Sequence, residues 1–251
     1  MREYLVMTIY KVFLLFCCVF QVQADEIRIA AAANLRFVLP ELAQEFERNT
    51  DDRLAITYAA SGILTTQIQH GAPFDLFLSA DPDYIQRLKK AGLTQGEAVD
   101  YAKAQLALFA SNHSLLPIDK NLYNLKQALA QNKLNKVAIA NPRHAPYGLA
   151  AKYVLQQAGI WQQIQPHLLI AENASQAMQF ALIPSVDAAF VPYAHIIQPK
   201  LTSQGRFVKL DITLAQQAIL IRNRSEQAKQ FLLFLQTEQA QKIFIKHGFL
   251  I

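Results

Sequence analysis

From Glu26 to the C-terminus the chain alternates short apolar runs of strand character with segments whose apolar residues recur at helical spacing. EIRIAAA at 26–32 is the first run, and Leu35, Val38, Leu39, Leu42 and Phe46 then fall on one face of a helix expected over 35–48. Further strands are expected at 54–59, 75–79, 105–110, 136–140, 168–171, 188–191 and 217–221. Helices are expected over 63–70, 82–91, 146–158 and 174–182, with two more near 226–235 and 238–246; Gly92 gives the third helix of the series its stop. Alternation of this kind builds α/β structure, with mostly parallel sheets and helices on both faces. More than ten elements in so short a chain suggest two small sheets rather than one. The expected division is a first lobe of residues 25–103 plus 216–251 and a second lobe of residues 104–215. Two strands crossing near 105–110 and 217–221 would form the hinge between them.

The first 24 residues have a different character. Arg2 and Lys11 make a basic start, Val12 to Phe20 is wholly apolar, and Val22-Gln23-Ala24 ends the segment on a small residue. This is the pattern of a removed export signal cleaved near Ala24. The apolar run is shorter than the ~20 residues that span a bilayer. The expected location is therefore the periplasm. Both cysteines, Cys17 and Cys18, fall in this segment, so the exported chain holds no thiol and has to be stabilised by its core. Removing Arg2, Lys11 and Glu3 from the 24 basic and 19 acidic residues leaves 22 and 18. The basic residues form no runs, which argues against a nucleic-acid surface, while a mild positive field favours an anionic partner.

Four strand-to-helix junctions carry the chemistry. In open parallel sheets ligands bind beyond the carboxyl ends of the strands, where the next helix presents unpaired N–H groups and a partial positive charge. An anion can sit there without any cation. The junctions are Ala31-Ala32-Ala33-Asn34-Leu35, Ala59-Ala60-Ser61-Gly62-Ile63, the segment from Asn141 to Gly148, and Glu172-Asn173-Ala174-Ser175-Gln176. Asn34 and Asn173 read as N-caps, and the Asn34 amide can also donate outward. Ser61 offers a hydroxyl. Pro146 suits a first helical position and leaves the N–H groups of Tyr147 and Gly148 to point out. Gly62, Ile63, Ala174 and Ser175 offer further N–H groups. Helix capping alone explains any one junction; two in each lobe suit an anion gripped from both sides of a cleft. Hydrogen bonds to a charged group contribute about 1.5–3 kcal/mol each, so neutral donors suffice for a dianion.

Other conspicuous residues read as structural. Asp81 precedes Pro82 and a helix, which suits a cap, and carboxylates at an anion site would repel the ligand, so Asp75 and Asp81 are placed outside it. The six histidines have no metal-ligand spacing, and no metal-cation site is expected. Arg143 and His144 read as solvated loop positions and Trp161 as core. Ser61 lies in no nucleophile elbow and has no evident His partner, so no enzyme activity and no cofactor are expected.

The segments AAANL at 31–35, AASG at 59–62, GAPFDLFLSAD at 71–81, ANPRHAPYG at 140–148, AENASQAMQF at 171–180 and FIKHGFLI at 244–251 together resemble the periplasmic molybdate-binding proteins of ABC importers. The likeness covers the whole exported chain, and its motifs occur in the family's order. It implies a two-lobed periplasmic-binding-protein fold of type II character, each lobe a mostly parallel sheet with flanking helices, joined by a two-strand hinge. It implies capture of a tetrahedral oxyanion, molybdate or tungstate, by a monomer that serves an ABC permease in the inner membrane. The family's binding positions fall here on Asn34, Ser61, Tyr147 and Ala174, the last two through main-chain N–H groups. Some members carry Ser where this chain has Asn34. Some also use a Tyr hydroxyl at the position of Pro192, which has neither hydroxyl nor N–H; the neighbouring Tyr193 is the candidate to replace it. A binding protein for sulfate, phosphate or a small organic anion is the alternative, and an exported enzyme on the same scaffold is the second.

Overall fold

A computed structural model of the chain describes residues 26–222 and 225–251. The expected export signal, with Cys17, Cys18 and the cleavage position near Ala24, lies outside the described residues.

The first lobe opens with β1 (Glu26–Ala32), a 3-10 turn (Ala33–Leu35) and α1 (Leu39–Glu47). β2 (Arg53–Ala59), α2 (Ser61–Gln69), β3 (Leu76–Ser79) and α3 (Pro82–Lys90) follow. The long β4 (Thr94–Ser111) leads out of this lobe. The second lobe holds α4 (Tyr123–Ala130), β5 (Lys136–Ala140), α5 (Pro146–Gln157), α6 (Trp161–Ile164), β6 (Leu168–Ala171), α7 (Ala174–Phe180), β7 (Val186–Pro192), α8 (Tyr193–Ile196) and α9 (Pro199–Thr202). The equally long β8 (Gly205–Ile221) returns, and α10 (Gln227–Phe234) and α11 (Glu238–Lys246) close the chain.

The strands form a single sheet of order β2-β1-β3-β8-β4-β7-β5-β6. The expectation of two separate sheets is corrected here. β1 pairs parallel with β2 and β3, and β5 pairs parallel with β6 and β7, as two parallel groups. β4 and β8 fuse them: they run antiparallel to each other from Thr94↔Ile221 to Ser111↔Gly205, bending at three register shifts. Bulges of this kind increase the local twist of a ladder, so one hydrogen-bonded sheet serves two lobes. The strands expected at 105–110 and 217–221 are ends of these longer ones, but they do not cross each other as expected: 105–111 pairs with 205–213, and 217–221 pairs with 94–100. The stretch 94–100 is largely polar and is sustained by its ladder with β8, whereas Val208, Leu210, Ile212 and Leu214 alternate with polar residues and pack on the core.

Each helix packs the face its sequence sets. In α1, Leu39, Leu42, Ala43 and Phe46 are buried. The helix starts later than the apolar spacing indicates because Pro40 has no N–H and belongs in a first turn; the residues before it tighten into the 3-10 turn instead. Asp81 caps α3, accepting from the Asp83 N–H at 2.9 Å, and Gly92 follows with φ +68°. The largest core cluster runs through both lobes, from Ile27, Leu42 and Phe46 to Ile139, Tyr147 and Phe190. The C-terminal tail adds to the crossing region, where Leu250 and Lys103 exchange backbone hydrogen bonds. Trp161 packs against the core, with the Lys152 ammonium 5.4 Å from its ring centre.

Candidate functional site

The four junctions meet. Asn34, Ser61, Tyr147 and Ala174 line one small cavity between the lobes, walled otherwise by Ala32, Ala33, Ala60, Ala80, Ala145 and Pro146. The cavity measures about 10 Å³, room for roughly one water, so the lobes stand closed upon each other. No charged side chain lines it. Asp75 is buried elsewhere, accepting from the backbone N–H of Arg28 at 2.8 Å and of Ser225 at 3.3 Å.

The small residues explain why two lobes can approach so closely. The Gly62 N–H donates to the His144 carbonyl at 2.9 Å across the cleft. The Ser175 hydroxyl donates to the Ala33 carbonyl at 2.9 Å, and the His195 Nε2 lies 3.2 Å from the Asn34 carbonyl. Gly148 lets α5 begin directly over β5, since a Cβ there would lie 2.2 Å from the Ala140 carbonyl oxygen.

The donors differ in part from those the sequence indicates. Asn34 is no N-cap; it lies inside the 3-10 turn, and its Nδ2 donates to Gln216 Oε1 at 2.9 Å rather than into the cavity. Gly62 spends its N–H on His144, and Gly148 on the Ala145 carbonyl at 2.9 Å. Asn173 caps α7 as expected, and its Oδ1 takes the N–H groups of Ser175 and Gln176 at 3.0 and 3.1 Å. Tyr147 and Ala174 stand in the first turns of α5 and α7, where N–H groups have no intrahelical acceptor. Ser61 is fully buried, and its Oγ accepts the Ala80 N–H at 3.1 Å, which leaves its own proton to give.

Tyr193 is not brought to the cavity. Its ring packs on Phe207 with centroids 5.7 Å apart and lies under the Lys209 ammonium, and Gly248 crosses its edge. Pro192 at its N-terminal side starts the short α8, and the turn carries Tyr193 away from the cleft. His195, two residues on, is the side chain from this loop that reaches the first junction. It is fully buried, and burial pushes its pKa down to about 4, against the pull of its hydrogen bonds to the Asn34 and Ala33 carbonyls. The ring is thus the neutral tautomer that donates from Nε2. Sequence reasoning missed both His195 and Gln216, because a lone His and a lone Gln in apolar surroundings carry no spacing signal. Arg143 is exposed as expected, whereas the half-buried His144 bridges the cleft through its backbone.

The profile of a family described as bacterial extracellular solute-binding protein matches residues 27–250. The molybdate-binding protein ModA of Rhodobacter capsulatus is 32% identical over 231 residues, covering 90% of this chain and 88% of the relative. ModA of Azotobacter vinelandii is 29% identical, covering 90% of each. The solved structure of the periplasmic molybdate-binding protein of Azotobacter vinelandii superposes with a TM-score of 0.79 at 28% identity, covering 90% of this chain and 99% of that one. The sulfate-binding protein SubI of Mycobacterium tuberculosis shares the fold, with a TM-score of 0.72 at 18% identity, covering 90% of this chain and 86% of that one.

Proposed function

The chain belongs to the bacterial extracellular solute-binding proteins, within their molybdate-binding group, and from that premise we propose that it captures a tetrahedral oxyanion in the cleft and delivers it to an ABC permease. The ligand is molybdate, with tungstate as its isostere. The protein is exported to the periplasm, acts as a monomer, uses no cofactor and catalyses no reaction. The lobes divide at residues 103/104 and 215/216; Lys103 pairs with Ala215 and Ala104 with Leu214 in the crossing ladder.

One observation carries this reading: helix starts from both lobes converge on one cavity without a carboxylate. The donors are the Ser61 hydroxyl and the main-chain N–H groups of Asn34, Tyr147 and Ala174. Fixed N–H dipoles at helix starts favour negative charge. They are neutral, so the empty site holds no buried charge to stabilise. Opening of the hinge admits the ion, and contacts from the second lobe then drive closure. Selectivity over sulfate comes from cavity size, since both ions share charge and shape.

Thermal unfolding of the mature protein with molybdate, tungstate, sulfate and phosphate in turn tests the proposal. A ligand bound only by the folded state raises stability by about 4 kcal/mol at a thousandfold excess over Kd. A large upward shift with molybdate and tungstate alone is the expected result. A shift with sulfate or phosphate instead reassigns the ligand, and no shift with any of the four overturns the reading.

A further inference from the structure

We propose that Ser175, in the first turn of α7, is a positioning residue for anion capture: from the second lobe its hydroxyl holds the Ala33 carbonyl once the cleft has closed, and so aims and strengthens the Asn34 N–H, the other end of the same peptide group. This rests on the reading of the cavity as the anion site.

Ser175 does not serve the anion directly. Its backbone N–H is committed to the Asn173 cap at 3.0 Å, and the residue does not line the cavity. Its hydroxyl is buried and donates to the Ala33 carbonyl at 2.9 Å. A carbonyl only accepts, so the direction of this bond is fixed. Ala33 belongs to the first lobe and α7 to the second. The bond therefore exists only in the closed form.

The consequence for the anion follows from the peptide group. No peptide bond among the described residues is cis, so the Ala33 carbonyl and the Asn34 N–H, parts of one planar group, point in opposite directions. Ala33 and Asn34 line the cavity and Ser175 does not. A carbonyl turned out to Ser175 thus turns the N–H inward. The Arg36 N–H holds the same carbonyl from within the first lobe at 3.3 Å, and the His195 Nε2 lies 3.2 Å from the next carbonyl, that of Asn34. Held from both lobes, the turn keeps its aim. A hydrogen bond accepted at a carbonyl also polarises the amide and strengthens the bond that its N–H gives. Helix α7 then serves the ion twice, directly through the Ala174 N–H and by way of Asn34 through Ser175.

Stopped-flow measurement of molybdate association and dissociation, together with the NMR resonance of the Asn34 amide nitrogen, tests this on the wild type and Ser175→Ala. The variant keeps the helix, since Asn173 and not Ser175 is its cap. Dissociation is expected to speed about three- to tenfold, the worth of one net hydrogen bond, while association stays within about twofold. In the molybdate complex the Asn34 amide nitrogen should move upfield of its wild-type position, because a less polarised peptide leaves more electron density on nitrogen. In the ligand-free protein that resonance and the melting temperature should be unchanged, which a merely structural bond would not give. Unchanged dissociation overturns the proposal, as does an Asn34 amide that keeps its wild-type position in the complex. A melting temperature that falls as far without ligand as with it makes the bond merely structural and also overturns it. A wild type that binds no molybdate overturns the cavity reading itself, a distinct failure.

Discussion

The Gly62 N–H and the His144 carbonyl meet at 2.9 Å, and no side chain fits between them: a Cβ on residue 62 would lie 2.7 Å from that oxygen. Gly62 starts a helix in one lobe and His144 belongs to a loop of the other, so the conflict exists only in the closed form. Gly62→Ala should thus leave the open protein intact, or slightly stabilise it, since Ala is the better helix former by up to about 1 kcal/mol. Closure has to absorb an overlap of the kind that costs about 1–3 kcal/mol. Molybdate affinity should fall roughly ten- to a hundredfold, read by calorimetric titration, while the ligand-free melting temperature holds. Equal affinity in the variant would show that the lobes close without this contact.

Gly148→Ala makes the opposite pairing of outcomes. Its Cβ would strike the Ala140 carbonyl oxygen at 2.2 Å and the Asn141 carbonyl carbon at 2.7 Å, all within one lobe. Backbone cannot swing aside as a side chain can, so this variant should lose about 2 kcal/mol or more of stability. At this chain length that is a fall of roughly 4–8 °C in melting temperature, present with or without ligand.

His195 gives the fold a pH dependence whose sign is fixed. Its pKa in the folded state is about 4, mainly through burial, and about 6.5 in the unfolded chain. The unfolded chain then binds the extra proton between those values, so stability rises with pH there. The contribution is fully present above about pH 6.5 and is lost as pH falls towards 4. The full difference is on the order of 3 kcal/mol. Arg36 is the charged group that reinforces the depression. Denaturant unfolding of the wild type and His195→Gln at pH 7.5, 5.5 and 4.5 measures it. Gln keeps a donor for the Asn34 carbonyl but cannot titrate, so the gap between the two proteins should shift in favour of the variant as pH falls. A constant gap would mean that the ring is not buried neutral.

The alternation of strands and helices was legible because each element that builds a lobe hides its own apolar face: Ile27 and Ile29 in β1, or Leu39, Leu42 and Phe46 in α1. Thr94 to Lys103 was not, since this stretch is held by pairing with β8 and carries Gln95, Gly96, Glu97 and Asp100 where an apolar pattern would show. Helix α4 was missed for a different reason. Asp119 accepts from the N–H groups of Asn121, Tyr123 and Asn124, so the cap stands four residues before the helix begins. At the site, sequence placed the four junctions that line the cavity but not which N–H groups remain to donate. That depends on contacts made only across the cleft, such as Gly62 with His144. Tyr193 was the expected hydroxyl of its loop, yet a two-residue offset along α8 gives the cleft side to His195.

Ser61 has two partners to serve, and its removal should separate them. The hydroxyl oxygen accepts the buried Ala80 N–H at 3.1 Å, and in the proposed function the hydroxyl proton goes to an anion oxygen. Ser61→Ala strands the Ala80 N–H, a loss of about 1–3 kcal/mol of stability, seen without ligand as a lowered melting temperature. It also removes a hydrogen bond to a charged acceptor, another ~1.5–3 kcal/mol, or about ten- to a hundredfold in affinity. Because the first loss occurs in the ligand-free protein and the second only in the complex, the thermal shift produced by saturating molybdate should shrink as well. A variant that melts lower but gains the full wild-type shift with molybdate would keep Ser61 as a structural bond to Ala80 and remove it from the anion's donors.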